Sequence, residues 1–362
     1  MLDTALSEFK FPAIEVDADQ VALRLHDALV ALAKISYLYS SDGGTEEEIL
    51  DVDDYIQTVL IGESLVANRG FNHRDLVRRY RTKPGHIIDG REVAASGISA
   101  WYRGQVRKLI DSRDLDYISH DGITSGSAMK VACIAAFYAR DFGALIDNTD
   151  RITCITHGSI EARLAALLTV LRYYQIYVGL ESSASDLRAM YVEAAARRNI
   201  EGGEFFLELV DTGLTVIAAK HDPQRTLIEL NKIIGLSHAA TSVPIAAALW
   251  SFRPIDPCEV LDNWSLFNHS EVHTGDTVIR HSDWDYARHR RHFLDLGYTG
   301  EDSRLLGEEA RSHFDLDTLF SIAFSMMAAE NGLGNLVRDG ELDDFTDNLE
   351  MLARNLVDLS PR

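Results

Sequence analysis

Apolar residues recur every three or four positions along most of this chain of 362 residues, and this spacing constrains its fold more than any other feature. A clear example is the series Ile160, Leu164, Leu167, Leu168 and Leu171. Residues spaced in this way fall on one face of an α-helix, whereas a half-buried strand would show strict alternation. Only seven prolines interrupt the pattern. The sequence therefore predicts an all-α fold without a convincing strand.

The organisation along the chain predicts one domain. Residues 1–18 are expected to form an extended N-terminal arm, and residues 19–362 a single helical domain, because no linker divides them. Within this domain, residues 268–313 are irregular and rich in His, Asp and Arg, which indicates a long insertion. Pro84-Gly85 is expected to end one helical segment, and the next is expected to begin near Arg91.

The negative charge of the chain limits the classes of molecule that it can bind. Thirty-five basic and 56 acidic residues give a formal net charge of −21, which repels phosphate backbones and anionic membranes and attracts cations or a basic protein. No apolar run approaches the roughly 20 residues that a membrane span needs. The three cysteines have no paired spacing, and no signal peptide is evident at the N-terminus. We therefore expect a cytoplasmic protein that binds neither nucleic acid nor membrane.

Two carboxylates and a hydroxyl open the most apolar segment near the C-terminus. Asp315, Asp317 and Thr318 precede a run of small and apolar residues, and a helix that is apolar all round is buried. Buried carboxylates are costly unless something compensates them, and a hard divalent cation prefers such oxygen ligands. The alternative is ordinary, since aspartate is a common N-cap. The segment alone leaves both interpretations open.

A second acidic pair, Asp53-Asp54, precedes an apolar segment over residues 56–66. Capping is again the simpler explanation, and the neighbouring run Glu46-Glu47-Glu48 is compatible with a solvated acidic loop. If the two acidic helix starts pack side by side, their carboxylates could share a pair of metal ions.

A small-residue segment precedes another apolar stretch. Its members are Ser125, Gly126, Ser127, Ala128 and Met129. Backbone N–H groups at such a helix entry can bind a phosphate, although most segments of this kind are tight turns. His157 likewise fits either a structural role or a site role.

Together, these segments resemble the ADP-ribosylglycohydrolases, a family that includes dinitrogenase-reductase-activating glycohydrolase and hydrolases of ADP-ribosylarginine and ADP-ribosylserine. The matching segments are residues 52–65, Ser125 to Ala132, Ile155-Thr156-His157 and Asp315-Leu316-Asp317-Thr318. The resemblance extends from about residue 20 to residue 335, outside the insertion. It implies a compact orthogonal bundle of many helices with two Mg²⁺ ions in a cleft.

The resemblance also implies roles for individual residues. Asp53 and Asp54 would bind the metal ions from one helix, and Asp315, Asp317 and Thr318 from another. Asp53, Asp54 and Asp315 would be the catalytic residues.

The same resemblance implies the substrate and the reaction. The segment from Ser125 to Met129 would hold the diphosphate of ADP-ribose, and His157 would lie near the nucleotide. The expected activity is removal of ADP-ribose from a modified protein side chain, with arginine favoured, by attack of a metal-activated water on ribose C1″.

Some positions depart from the family pattern. Val52 replaces a threonine, and Lys34 stands where a glutamate is usual. A catalytically degenerate member is therefore one alternative. Another is an immunity-type protein that binds and occludes an ADP-ribosylating toxin, with or without hydrolysis. Gly275-Asp276-Thr277 mimics part of the last motif and ranks second to Asp315-Leu316-Asp317-Thr318, since no apolar helix pattern follows it.

Overall fold

The structure is a computed structural model, and helices dominate it, as the apolar spacing predicts. It describes residues 15–40, 53–82, 87–88, 91–92, 104–120, 122, 125–180, 183–200, 204–219, 226, 229–230, 242–252, 271–274, 277–280, 316–333 and 343–361. The helices are α1 (Ala18–Ser40), α2 (Asp53–Asn68), α3 (His73–Arg81), α4 (Gly104–Ser112), α5 (Ala132–Phe137), α6 (Phe142–Thr153), α7 (Ile160–Tyr177), α8 (Ala184–Arg197), α9 (Glu204–Ala218), α10 (Ser242–Trp250), α11 (Leu316–Asn331) and α12 (Asp343–Asp358). Across these described ranges, no helix is long and apolar enough to cross a membrane.

Helix α7 forms the centre of the bundle. Its residues are buried around nearly the whole helix, and it packs against α1, α5, α6, α8, α10 and α11. Ser159 caps its N-terminus by accepting a hydrogen bond from the backbone N–H of Ala162 at 3.2 Å. Because α7 contacts so many elements, polar groups along it can connect parts of the chain that are distant in sequence.

Helix α11 is the second buried helix. Every side chain from Thr318 to Ala329 is buried, and α11 packs against α1, α7 and α10. This burial agrees with its almost uniformly small and apolar sequence. The helix begins at Leu316. Asp315 itself lies outside the described residues.

A buried arginine joins α7 to α11 and to the residues that follow α10. Arg172 is 1% exposed, and its Nε donates a hydrogen bond to Ser251 Oγ at 2.9 Å. Its Nη2 donates to Glu330 Oε2 at 2.6 Å, and its guanidinium lies 3.9 Å from the centroid of the Phe252 ring. A buried charge is tolerated only when it is paired in this way. The arginine thereby fixes how the two buried helices meet.

Replacing Glu330 by alanine tests this connection. We expect Glu330→Ala to lower the free energy of unfolding by about 2 kcal/mol, because it leaves the Arg172 guanidinium buried without its carboxylate acceptor. Chemical denaturation of both proteins measures the difference. Glu350→Ala is the matched control, since it removes a glutamate paired with Arg354 on the exposed surface of α12. We expect the control to leave the midpoint of unfolding unchanged, and equal midpoints for all three proteins would contradict the prediction.

Two short hairpins correct the prediction that the chain has no strands. Strands β1 (Ile87–Ile88) and β2 (Arg91–Glu92) pair antiparallel, as do β3 (Glu271–Thr274) and β4 (Thr277–Arg280). Arg91 and Glu92, near which a helical segment was predicted to begin, lie in β2, and residues 93–103 lie outside the described residues. Strands of two to four residues are too short to establish an alternating pattern, so helical spacing nearby obscures them.

The hairpin at β3–β4 lies inside the segment predicted as an insertion. Thr277 begins β4, so Gly275-Asp276-Thr277 belongs to a strand connection and is not followed by a helix. Gly275 and Asp276 themselves lie outside the described residues. By contrast, the competing segment at Asp315 to Thr318 leads directly into α11. The local structure therefore favours the latter as the counterpart of the last family motif.

Candidate active site

The first turn of α2 carries a buried carboxylate. Asp54 is 2% exposed, and the backbone oxygen of Asp54 accepts a hydrogen bond from Thr58 Oγ1 at 2.7 Å. The same hydroxyl lies 3.3 Å from the backbone oxygen of Met129. Thr58 thus brings the predicted metal-binding turn against the predicted phosphate-binding segment.

The segment from Ser125 to Met129 forms a tight turn against α7. Ser125, Gly126 and Ser127 form a single 3₁₀ turn, and the backbone N–H groups of Ala128 and Met129 both donate to the Ser125 oxygen, at 2.8 and 3.3 Å. These two N–H groups are therefore used within the turn. A phosphate bound here would have to be held by the preceding N–H groups, over residues 125–127.

A hydroxyl in this turn needs an acceptor or donor. Ser127 is fully buried, and its Oγ has no hydrogen-bond partner among the described residues. A buried hydroxyl without a partner is unfavourable, by roughly 1–3 kcal/mol. A phosphate or ribose oxygen of a ligand would supply the partner, so the turn suits an oxygen-rich ligand.

A buried polar cluster connects the turn with α2 and with the segment containing His157. Lys130 is fully buried, and its Nζ donates a hydrogen bond to Gln57 Oε1 at 3.2 Å and another to Thr156 Oγ1. It also lies 5.7 Å from the centroid of the Tyr80 ring. Thr156 Oγ1 in turn lies 2.8 Å from His157 Nδ1. Three of the four segments singled out in the sequence are therefore in direct contact.

His157 is held in its neutral form. Burial lowers its pKa well below the ordinary value of 6.5, and the positive charge of Lys130 lowers it further. The side chain is thus uncharged at neutral pH, and a neutral imidazole has one nitrogen that donates and one that accepts a hydrogen bond.

The depressed pKa of His157 predicts a pH effect on stability. The unfolded chain takes up a proton on this residue as the pH falls below 6.5, whereas the folded protein does so only at much lower pH. Stability contributed by the neutral ring is therefore present above pH 6.5 and is lost progressively below it, by up to about 1.4 kcal/mol per pH unit. Denaturation of the wild type and of His157→Gln between pH 7.5 and 5 measures the effect. We expect a shallower decline for the variant, and parallel curves would contradict the prediction.

Tyr173 links α7 to α11 by a buried hydrogen bond. Its side chain is fully buried on α7, and its hydroxyl is hydrogen-bonded to Ser325 Oγ. Burial raises the pKa of Tyr173, and the negative charges of Cys133 and Asp54 in their ionised forms would raise it further, while the bond to Ser325 lowers it. Tyr173 therefore joins α7 to α11. Thr318 precedes Ser325 by seven residues, about 10 Å along the helix.

The predicted metal ligands are described unequally. Asp54 and Thr318 have described side chains, and both are buried, at 2% and 5% exposure. Asp53 and Asp317 lie in the first turns of α2 and α11, but their side chains are outside the described part of the chain, as is Asp315. Among the described residues, no three His, Cys, Asp or Glu side chains are grouped as a metal ion requires. The donors that are described, a carboxylate and a hydroxyl at two helix starts, fit the oxygen chemistry of Mg²⁺.

Of the two departures from the family pattern, one is described. Lys34 lies on α1 and is 9% exposed, so a buried cationic side chain occupies the position at which the resemblance leads us to expect a glutamate. An ammonium group has no lone pair for a cation, so this position contributes no ligand. Val52 lies outside the described residues.

The sequence profile of the ADP-ribosylglycohydrolase family matches residues 18–277. The chain belongs to this family. The membership confirms the resemblance seen in the motifs and implies that the protein hydrolyses ADP-ribose linkages. The matched range contains Asp53-Asp54, the Ser125–Met129 turn and His157, and it ends before Asp315.

Two further comparisons complete this result. No curated protein sequence matches the chain. Among solved structures, a chain described as an ADP-ribosylglycohydrolase-related protein complex is similar to it, with 18% sequence identity and a TM-score of 0.49 over 95% of this chain and 100% of the other.

The sequence predicted no individual role for several residues of this ADP-ribosylglycohydrolase site. Gln57, Thr58 and Tyr173 lie in helical segments in which nothing local marks them. Lys130 carries a signal, because it is the only charged residue between Ala128 and Ala139. A single charge inside an apolar run indicates a buried group that must find partners.

Proposed function

We propose that this ADP-ribosylglycohydrolase removes ADP-ribose from a modified protein side chain in a Mg²⁺-dependent reaction. The observation that carries the proposal is the contact between the first turn of α2, with the buried Asp54, and the Ser125–Met129 turn. It puts a carboxylate suited to proton transfer beside a turn suited to a diphosphate. Thr156 and His157 reach the same turn through Lys130.

The chain's own residues would perform the following steps. The Ser125–Met129 turn and His157 hold the ADP-ribosyl group. A carboxylate from Asp53, Asp54 or Asp315 accepts a proton from the attacking water, whose oxygen forms a bond to ribose C1″. The bond from C1″ to the acceptor nitrogen breaks, the electron pair remains on that nitrogen, and the nitrogen takes up a proton. The products are free ADP-ribose and the unmodified side chain.

Five residues would hold the Mg²⁺ ions: Asp53, Asp54, Asp315, Asp317 and Thr318. When bound, a pair of Mg²⁺ ions supplies positive charge that polarises the ribose oxygens and lowers the pKa of the attacking water. The carboxylates also keep this charge positioned at the starts of the two helices.

We propose arginine as the modified side chain. A net charge of −21 favours a basic protein segment as the substrate, and arginine-rich segments are basic even when one residue is modified. A segment modified on serine need not be basic, so the charge of the chain would not favour it in this way.

A release assay tests the proposal. Proteins ADP-ribosylated on arginine or on serine are incubated with the full-length chain in Mg²⁺ or in EDTA, and free ADP-ribose is quantified by chromatography. We expect Mg²⁺-dependent release from the arginine-linked substrate and much slower release from the serine-linked one. Absence of release from either substrate in Mg²⁺ would overturn the hydrolase proposal, and faster release from serine would overturn the acceptor assignment.

A second function is favoured by the charge of the chain. A strongly acidic protein is suited to bind and occlude the basic cleft of an ADP-ribosylating toxin, with the arm at residues 1–18 as the contacting segment. Affinity for such a toxin is compared between the full chain and a variant lacking residues 1–18. A large loss on truncation supports this role, and unchanged affinity contradicts the part assigned to the arm. Binding without ADP-ribose release would indicate a catalytically degenerate member.

A further inference from the structure

The hydroxyl of Thr156 lies between two nitrogen groups in the buried cluster. Lys130 Nζ donates to Thr156 Oγ1 from one side, and His157 Nδ1 lies 2.8 Å from the same oxygen on the other. Thr156 is fully buried, and its hydroxyl contacts no third hydrogen-bonding group among the described residues. The protons of this short chain of groups can therefore be counted.

The count assigns a direction to each hydrogen bond. An ammonium group can only donate, so Thr156 Oγ1 accepts from Lys130. The one hydroxyl proton of Thr156 then has a single acceptor within reach, the lone pair on His157 Nδ1. If Nδ1 carried the ring proton instead, the hydroxyl proton would be buried without an acceptor, a cost of roughly 1–3 kcal/mol. A factor of roughly 5 to 150 therefore favours the arrangement in which Nδ1 accepts.

The position of the ammonium is fixed independently of Thr156. Lys130 Nζ also donates to Gln57 Oε1 at 3.2 Å and lies 5.7 Å from the centroid of the Tyr80 ring. Gln57 lies on α2 and Tyr80 on α3, so elements other than the segment that carries His157 hold the lysine. The ammonium can then act as the fixed end that orients the hydroxyl.

We propose that Lys130 is a positioning residue that acts through Thr156 to hold neutral His157 in the tautomer with its proton on Nε2. The inference rests on the proposed function for its purpose, because it makes the ring edge remote from Thr156 a hydrogen-bond donor. A donor suits the ribose and phosphate oxygens of an ADP-ribosyl group, which are acceptors. The opposite tautomer would present a lone pair to them.

Nuclear magnetic resonance of the ring nitrogens tests the assignment. Full-length protein with ¹⁵N-labelled histidine is recorded at pH 7.5 without substrate, in a two-bond ¹H–¹⁵N correlation experiment that distinguishes the tautomers. The chain has 13 histidines, so the signal of His157 is identified by its loss in His157→Gln. The same spectrum is recorded for Lys130→Met, Thr156→Val and Thr156→Ser. Circular dichroism and thermal unfolding check the fold of each variant.

The expected results differ between the variants. The wild type and Thr156→Ser, which keeps the hydroxyl, should show the Nε2–H pattern. Thr156→Val and Lys130→Met should move both nitrogen signals toward intermediate shifts, as two tautomers exchange. An Nδ1–H pattern in the wild type, or an unchanged Nε2–H pattern in a folded Thr156→Val or Lys130→Met protein, would overturn the proposal. If Lys130→Met does not fold, the comparison of Thr156→Val, which removes the hydroxyl, with Thr156→Ser, which keeps it, decides the result.

The test is separate from that of the proposed function. The tautomer is measured without substrate or metal, so a protein that releases no ADP-ribose can still show the Nε2–H pattern. Conversely, an active hydrolase with the Nδ1–H pattern would refute only the role of Lys130.

Discussion

Replacing Asp54 by asparagine is expected to reduce Mg²⁺-dependent release of ADP-ribose by roughly 100-fold or more. Loss of a residue that only hydrogen-bonds to a metal ligand typically costs about 10- to 100-fold in activity, and loss of a ligand itself should cost at least as much. The change keeps the size of the side chain and removes its negative charge. Asp54 is buried in the first turn of α2, and Thr58 of the same helix contacts the backbone oxygen of Met129 in the neighbouring turn. The kcat of the variant and its affinity for Mg²⁺, measured by calorimetry, should fall together.

A matched control separates this role from helix stabilisation. Carboxylates in the first turn of a helix contribute about 0.3–1 kcal/mol through the helix dipole, which would change stability and not activity. Asp141→Asn makes the same chemical change at the N-cap of α6, where Asp141 Oδ1 accepts from the Ala144 N–H at 2.8 Å. We expect this control to keep full activity. Normal activity in Asp54→Asn, with only a small loss of stability, would show that Asp54 merely stabilises α2.

Replacing Gly158 by alanine is expected to destabilise the fold by about 3 kcal/mol, since overpacking against rigid neighbours has costs of this order. A Cβ at this position would overlap the backbone oxygen of Ser119, and it would lie 2.7 Å from the Ser119 carbonyl carbon and 3.1 Å from His120 Cα. These are backbone atoms, and the Ser119 N–H is held by the Cys154 oxygen at 2.8 Å. Neither the backbone at Ser119 and His120 nor the backbone at Cys154 can move without displacing the turn that carries His157. Thermal and denaturant unfolding measure the loss.

Gly143→Ala provides the control for this substitution. Its Cβ would lie 3.0 Å from Arg197 Nη2, the end of a flexible side chain that is 48% exposed and can move away. Gly143 also lies within α6, where alanine is the better helix former by roughly 1 kcal/mol. We expect this variant to be as stable as the wild type or more so. If Gly158→Ala proves equally tolerated, the close approach of Ser119 does not determine the geometry of the His157 turn.

The helical fold could be predicted because its signal is local. The apolar spacing along residues 160–171 is that of a buried helix, and α7 covers it. The end of α2 depends on local backbone conformation too, since Arg69 has φ 51° and Gly70 has φ 146°. The short hairpins were missed because two to four residues do not establish a period. Contacts such as Arg172 with Glu330 join positions 158 residues apart, and no local pattern indicates them.

The sequence predicted which segments belong to the candidate site, but it did not predict the contacts between them. Asp54, the Ser125–Met129 turn and His157 were singled out separately, and the structure brings them into contact. The side chains that make the contacts, above all Thr58 and Lys130, are buried polar groups whose partners depend on the tertiary fold. Their roles follow only from knowing which backbone oxygen or hydroxyl lies opposite them.

We propose that the starts of α2 and α11 bind the divalent cations together. Anomalous diffraction from crystals grown with Mn²⁺, which shares the oxygen preference of Mg²⁺, locates such ions directly. We predict two peaks roughly 3.5–4 Å apart, with Asp54 and Thr318 among the coordinating residues. Peaks bound elsewhere, or none in crystals of protein that Mn²⁺ activates in solution, would contradict the claim.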